Sequence, residues 1–350
     1  MTTHTSIARV LEHWDGLEGA AVEPLGTGLI NETYRIRADR RELVLQRLSP
    51  IFDPRIHQNI RAVTLCLGRA GIATPVLVET RTREAYLELP GLGVFRVMTY
   101  VEGASFDSLR APAQARSAGE LVGRVHAALD GLHHEFVGLR IGVHDTAGHL
   151  ERLREAVAAR SGHRLAAAVA PLALDILARA SSLAPPPSLP DRICHGDLKA
   201  NNVRFAGREG SASERAICLV DLDTLGPLPL AYELGDAFRS WCNRAGEDDT
   251  EAALDLDLLE ASVEGYLEGL GRDLGEAERR ALVAGPEWVS LELAARFARD
   301  ALEESYFGWD PARYGSRGEH NLVRARGQWS LHEACVASRP RRAQLLEVRP

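Results

Sequence analysis

Ile193-Cys194-His195-Gly196-Asp197-Leu198-Lys199-Ala200-Asn201-Asn202-Val203-Arg204-Phe205 is answered further along the chain by Cys218-Leu219-Val220-Asp221-Leu222-Asp223. Between them lies Gly207-Arg208-Glu209-Gly210-Ser211-Ala212-Ser213-Glu214. Two apolar runs separated by such a polar segment read as an antiparallel hairpin. The residue entering the first strand then faces the residue leaving the second, so Asn202 and Asp221 are expected at one end. A carboxylate and an amide oxygen are hard donors of the kind Mg²⁺ accepts, with phosphate oxygens and water completing its shell. Asp197 stands on the loop feeding the same end, as a candidate proton acceptor.

His-x-Asp-x-x-x-x-Asn, followed by an apolar strand ending in Asp, resembles the catalytic loop and metal-binding Asp of the protein-kinase-like fold. Gly196 after the His, and Asn201-Asn202-Val203 at the end, resemble its small-molecule branch, the aminoglycoside phosphotransferase and choline kinase family. The resemblance implies an α+β, bilobal fold. A small N-terminal antiparallel β-sheet lobe would span residues 1–98, a hinge 99–104, and a larger, mainly helical C-terminal lobe 105–350. It also implies ATP and Mg²⁺ as cofactors, Asp197 and Lys199 in catalytic roles, and Asn202 and Asp221 as metal ligands.

Length and composition agree with this frame. A chain of 350 residues with 45% apolar content can bury a large core in about two lobes. A net charge of −8 disfavours nucleic acid, whose phosphates are bound by clustered Lys and Arg. No uninterrupted apolar run reaches membrane-spanning length, and the N-terminus lacks a secretion pattern, so a soluble cytoplasmic protein is expected. The 5 cysteines are scattered without Cys-x-x-Cys spacing, which points to core thiols instead of a zinc site or a disulfide framework. The expected partner is a small-molecule acceptor; the oligomeric state is left open.

Toward the N-terminus, Gly26-Thr27-Gly28-Leu29-Ile30-Asn31-Glu32-Thr33-Tyr34-Arg35-Ile36 reads as a glycine turn running into an alternating strand. Such a turn can lay backbone N–H groups over phosphates, so Thr27, Gly28 and Asn31 are nucleotide candidates. In the next strand, 42–47, the register that turns Val44 to the nucleotide puts uncharged Gln46 where kinases carry a Lys. The following helix, 54–70, contains no acid, and Gln58 is the candidate for the position of the usual Glu partner. With the ion pair missing on both sides, Lys199 or Arg47 is left to supply charge, and the position of Lys199 favours it. The run 94–103 resembles the hinge, with the backbone of Thr99, Tyr100 and Val101 set to meet the adenine edge.

Beyond the hinge the pattern is helical except for the hairpin. Asp236, after Gly235, reads as a helix N-cap, and in the family the matching Asp braces the catalytic loop. Asp223 lies where an acceptor must bind, and clustered carboxylates in a cleft are functional candidates. The segments 28–34, 220–224 with Gly235-Asp236, and 296–326 together resemble N-acetylhexosamine kinases, which phosphorylate an anomeric hydroxyl. That resemblance implies Arg296, and with a one-residue shift Tyr306, as acceptor contacts beside Asp223. Three other readings stay open: a kinase for an aminoglycoside, choline, homoserine or methylthioribose; a protein-substrate kinase, disfavoured because no Ala-Pro-Glu segment follows Asp221; and a nucleotide-binding pseudokinase.

Overall fold

Alternating side chains fold the N-terminal part into an antiparallel sheet. Strands β1 (Ala21–Pro24), β2 (Glu32–Ala38), β3 (Arg41–Leu48) and β6 (Gly93–Thr99) lie side by side in that order, and β4 (Leu77–Val78) and β5 (Leu87–Leu89) both pair with β6. This is a computed structural model, and it describes residues 4–26, 30–38, 41–140, 142–208 and 213–348. Ile36, Leu43, Leu45, Phe95 and Val97 bury one face of the sheet under helix α1 (His4–Leu11), Trp14 and Leu17. Because side chains alternate, Thr33, Val44, Gln46, Arg96 and Met98 share the other face: Gln46 sits opposite both Thr33 and Arg96, and Val44 opposite Met98. That face turns toward the rest of the chain.

Helix α2 (Ile56–Arg69) follows the third strand and packs Ile60, Val63 and Leu67 into the main core beside Met98. Its phase corrects one expectation. Gln58 is exposed, and the buried residue is its neighbour His57, 1% exposed.

The helical part comprises α3 (Pro112–Leu129), α4 (Thr146–Ala159), α5 (Ala166–Ser182), α6 (Leu230–Trp241), α7 (Leu256–Leu270), α8 (Glu276–Glu303) and α9 (Arg317–Leu345). Their starts follow from sequence. Pro112 opens α3, and Asp145, Asp255 and Ser316 accept backbone N–H bonds at the first turns of α4, α7 and α9. Helices α3 and α7 meet main chain against main chain. A Cβ on Gly119, Gly123, Gly265 or Gly269 would overlap a carbonyl oxygen of the facing helix.

Set into these helices are two short β ladders, β7 (Arg192–Cys194) with β10 (Gly226–Leu228), and β8 (Val203–Phe205) with β9 (Ala216–Leu219). The second is the expected hairpin, with Val203 opposite Leu219. It is tied to the segment after β6 by paired bonds between Ala104 and Phe205, of 2.9 and 2.8 Å.

Candidate active site

The loop between β7 and β8 is shaped by local backbone demands. Gly196 has φ +79°, and a Cβ there would stand 2.6 Å from the Thr224 carbonyl oxygen, so only glycine fits. His195 donates from Nε2 to the Val220 carbonyl at 2.8 Å and accepts the Asp197 N–H on Nδ1 at 3.3 Å. The Val220 N–H reaches the Asn202 carbonyl at 2.9 Å. The two ends of the hairpin therefore meet, bringing Asn202 next to Asp221.

Asn202 donates its amide Nδ2 to the Asp197 carbonyl (2.8 Å) and to Asp197 Oδ2 (3.2 Å). Both bonds use the nitrogen, which leaves the amide oxygen as the atom to offer a metal. Lys199 Nζ stands 3.1 Å from Asp197 Oδ2. Burial would raise the Asp197 carboxyl, but Lys199, His195 and Arg239 outweigh it and hold it below the ordinary carboxylate range, while Asp197 holds the Lys199 ammonium charged. Asp221 adopts a left-handed backbone, φ 62° and ψ 63°, uncommon outside glycine. Burial, with Asp223 and Asp197 close by, pushes its carboxyl up to about 6. An excess of negative charge beside a free amide oxygen fits a divalent cation.

Helix α6 supports the loop, though not through the residue expected. It begins after Pro229, so Asp236 lies inside it and is no N-cap; its carboxylate pairs with Arg239 at 2.8 Å. The brace is Glu233, 1% exposed, whose two oxygens accept the N–H groups of His195 (2.8 Å) and Gly196 (2.9 Å). Behind it, His126 Nε2 lies 3.5 Å from Glu233, and Nδ1 lies 3.0 Å from the Tyr266 hydroxyl on α7. Ser240 Oγ accepts the Ala200 N–H at 3.0 Å.

On the sheet side, Thr27 and Gly28 lie outside the described residues. Asn31 accepts the Ser49 N–H at 2.8 Å and donates to Asp223 at 2.7 Å. Gln46 is bonded to Arg96 and Thr33. Val44 is half-buried on the same face. Asp223, expected to touch an acceptor, is turned into the protein: its side chain is 1% exposed and faces Arg96 and Asn31. At the end of β6, the expected hinge, the Thr99 N–H is donated to Val76 (2.9 Å) and the Tyr100 N–H to Glu42 (3.2 Å), whereas among the described residues Val101 N–H has no acceptor. Arg204 clamps this segment, donating to the Val101 carbonyl (3.3 Å), the Tyr100 hydroxyl (3.3 Å) and the Gly103 carbonyl.

The model of the phosphotransferase enzyme family matches residues 21–313, most of the chain and all of the elements just described. The chain belongs to this family. Among curated proteins this phosphotransferase is similar to a homoserine kinase of Bradyrhizobium diazoefficiens, 25% identical over 280 residues, covering 79% of this chain and 78% of that one. Among solved structures it is similar to a microcompartment-associated aminopropanol kinase, with TM-score 0.62, 16% identity, and coverage of 96% and 98%. An amicoumacin kinase in complex with AMP-PNP and Ca²⁺ matches with TM-score 0.59 and 13% identity over 92% of this chain and 90% of that one. Among the described residues, no helix of the phosphotransferase is long and apolar enough to cross a membrane.

Next to its loop the phosphotransferase gathers a second cluster, on Arg296 and Tyr306. The Arg296 guanidinium lies 5.9 Å from the Tyr306 ring and 5.5 Å from Phe307. Arg140, which sequence reasoning missed, donates to the Tyr306 hydroxyl at 2.5 Å and approaches the Phe52 ring. Leu139, its neighbour, abuts Gly226 on β10, whose partner Cys194 begins the loop. Tyr306 is 44% exposed and available to a ligand. Its segment is held from behind by Asp300, which accepts the N–H groups of Ser305, Tyr306 and Phe307 at 2.8–2.9 Å and the amide of Asn321 at 2.8 Å. Glu292, the carboxylate of this cluster, is fully buried and bonded to His144 (3.1 Å) and Thr146 (2.6 Å).

Proposed function

We propose that the protein moves the γ-phosphoryl of ATP to a hydroxyl of a small acceptor, the anomeric hydroxyl of an N-acetylhexosamine. The observation that carries the transfer is the Asp197 carboxylate, held ionised at 3.1 Å from Lys199 and next to the Asn202–Asp221 pair. Asp197 orients the acceptor hydroxyl and takes its proton as the oxygen bonds to phosphorus; the bond from the γ-phosphorus to its bridging oxygen breaks, and ADP leaves. A loose transition state asks little basicity, so an ordinary carboxylate suffices. Lys199 places a positive charge where the phosphoryl oxygens pass. The Asn202 oxygen and the Asp221 carboxylate are the ligands for Mg²⁺, which offsets phosphate charge when bound. On the nucleotide side, Asn31, Val44 and the Val101 N–H are the groups offered to ATP; Gln46 acts there through Arg96.

The acceptor reading rests on the second cluster. Arg296, Arg140 and Tyr306 offer cations and a hydroxyl, and Glu292 is already bonded, which suits a neutral sugar with an acyl carbonyl and opposes cationic acceptors. The same two guanidinium groups suit an acceptor carboxylate, so homoserine is the second reading, in keeping with the homoserine kinase relative. The test is ADP release with Mg-ATP across N-acetylhexosamines, plain hexoses, homoserine, aminoglycosides and choline. One N-acetylhexosamine alone should respond; a response to homoserine alone would replace the sugar. Asp197→Asn should cut turnover by about 10²–10⁴-fold while nucleotide binding holds.

A further inference from the structure

The missing Lys and its missing Glu partner leave one charged pair buried between the sheet and the metal-binding loop. Arg96 on β6 and Asp223 beyond Asp221 face each other with Nη1 and Oδ1 2.5 Å apart, each side chain 1% exposed. Charges so deep are tolerated only when matched. Arg96 spends Nε and Nη2 on Gln46 Oε1, at 2.9 and 2.7 Å, and Gln46 passes its own amide to Thr33 Oγ1 at 3.2 Å. This accounts for the uncharged Gln46: a Lys there would set a second cation against Arg96. On α2, His57 is buried with Nε2 free of any partner among the described residues. Burial and then Arg96 hold His57 down at about 4, so it stays neutral, and α2, which carries no Asp or Glu, offers Arg96 no anion.

We propose that the Arg96–Asp223 pair is the latch joining the sheet to the metal loop, and that Arg96 is a positioning residue for the Mg-nucleotide. The inference rests on the phosphotransfer reading above. In kinases the corresponding pair runs from strand to helix within one lobe. Here it runs from strand to loop, and it ends two residues from a metal ligand. Asp223 is held from two sides, by Arg96 and by Asn31, whose oxygen is fixed by the Ser49 N–H. On the other side of Asp221, Val220 is fixed to Asn202. A left-handed non-glycine backbone persists only where its surroundings over-determine it, and these two anchors do so.

The test is calorimetric binding of a non-hydrolysable ATP analogue, with Mg²⁺ and with a chelator, to wild type, Arg96→Met, Arg96→Lys, Asp223→Asn and the Arg96→Met/Asp223→Asn double variant. Arg96→Met and Asp223→Asn should each weaken Mg-dependent binding by about tenfold or more, as truncation of one buried charge partner does, and Arg96→Lys, which keeps the charge but loses the fork to Gln46, by less. Binding in chelator should stay at the wild-type level, and the double variant should bind no more weakly than the worse single, because both belong to one latch. Unchanged Mg-dependent binding in every single variant would overturn the latch. So would an equal loss in chelator, the mark of a direct Arg96–phosphate contact, or losses that multiply in the double. A wild type that binds no Mg-nucleotide would sink the phosphotransfer reading and the latch together.

Discussion

Glu233 is buried behind the loop of Asp197, yet it fixes where that loop stands. Glu233→Gln would set an amide N–H₂ against the His195 or Gly196 N–H that one of its oxygens now accepts. A buried donor left without its acceptor costs about 1–3 kcal/mol. The expected outcome is a lower melting temperature and a lower kcat with the KM for ATP little changed, read by thermal unfolding and steady-state kinetics. This residue also shows what sequence reading reaches. The meeting of Asn202 and Asp221 beside Asp197 was legible because a hairpin rule joins them within a short stretch, whereas Lys199 came from the family resemblance. Glu233 acts on a loop 38 residues away, and Arg140 on a tyrosine 166 residues away. No local pattern carries such distances. Arg96 did leave a signal, an arginine inside the apolar run Val94-Phe95-Arg96-Val97-Met98, but its meaning waits on the partner across the cleft.

At the scale of elements, strands and helices were mostly legible, and the errors were of phase and start. Helix α2 lacks a capping side chain to mark its first turn, so its buried face was set by packing, and His57 turned inward in place of Gln58. Helix α6 starts directly after Pro229, an N-terminal signal that the Gly-Asp pair inside the helix masked. The α3–α7 contact supplies a direct test. Gly265→Ala drives a methyl into the Arg116 carbonyl, and overpacking of this kind costs about 1–3 kcal/mol, visible as a shift in the denaturant midpoint. Asp300→Ala should release the segment of Tyr306 from its three N–H bonds. It should lower the melting temperature, each lost bond costing on the order of 1 kcal/mol, and raise the acceptor KM while the KM for Mg-ATP stays near wild type.

For the whole molecule, acid stability should be governed by carboxylates that tie distant parts together. Arg272, then the Gly275 N–H and Arg192, hold Glu278 down at about 2, and Arg164 with the Gly318 N–H holds Glu304 at about 2. Both groups sit lower folded than unfolded, so their contribution is complete above the unfolded value of about 4.3 and fades as pH falls toward 2. The melting temperatures of wild type and Glu278→Gln should differ at neutral pH and converge as pH falls from 4.5 to 2; a gap that stays constant would deny Glu278 this role.

Where α3 and α7 touch, main chain meets main chain, with no layer of side chains between them to rearrange. Heating or ligand binding can reshuffle rotamers elsewhere in the core, but this spacing has no soft coordinate. The bond from His126 to Tyr266 spans it, and His126 faces Glu233. The height of the loop between β7 and β8 is thus read off a gauge without moving parts, so the slowest-exchanging amides of the protein should be those of α3 and α7, and they should stay so on nucleotide addition.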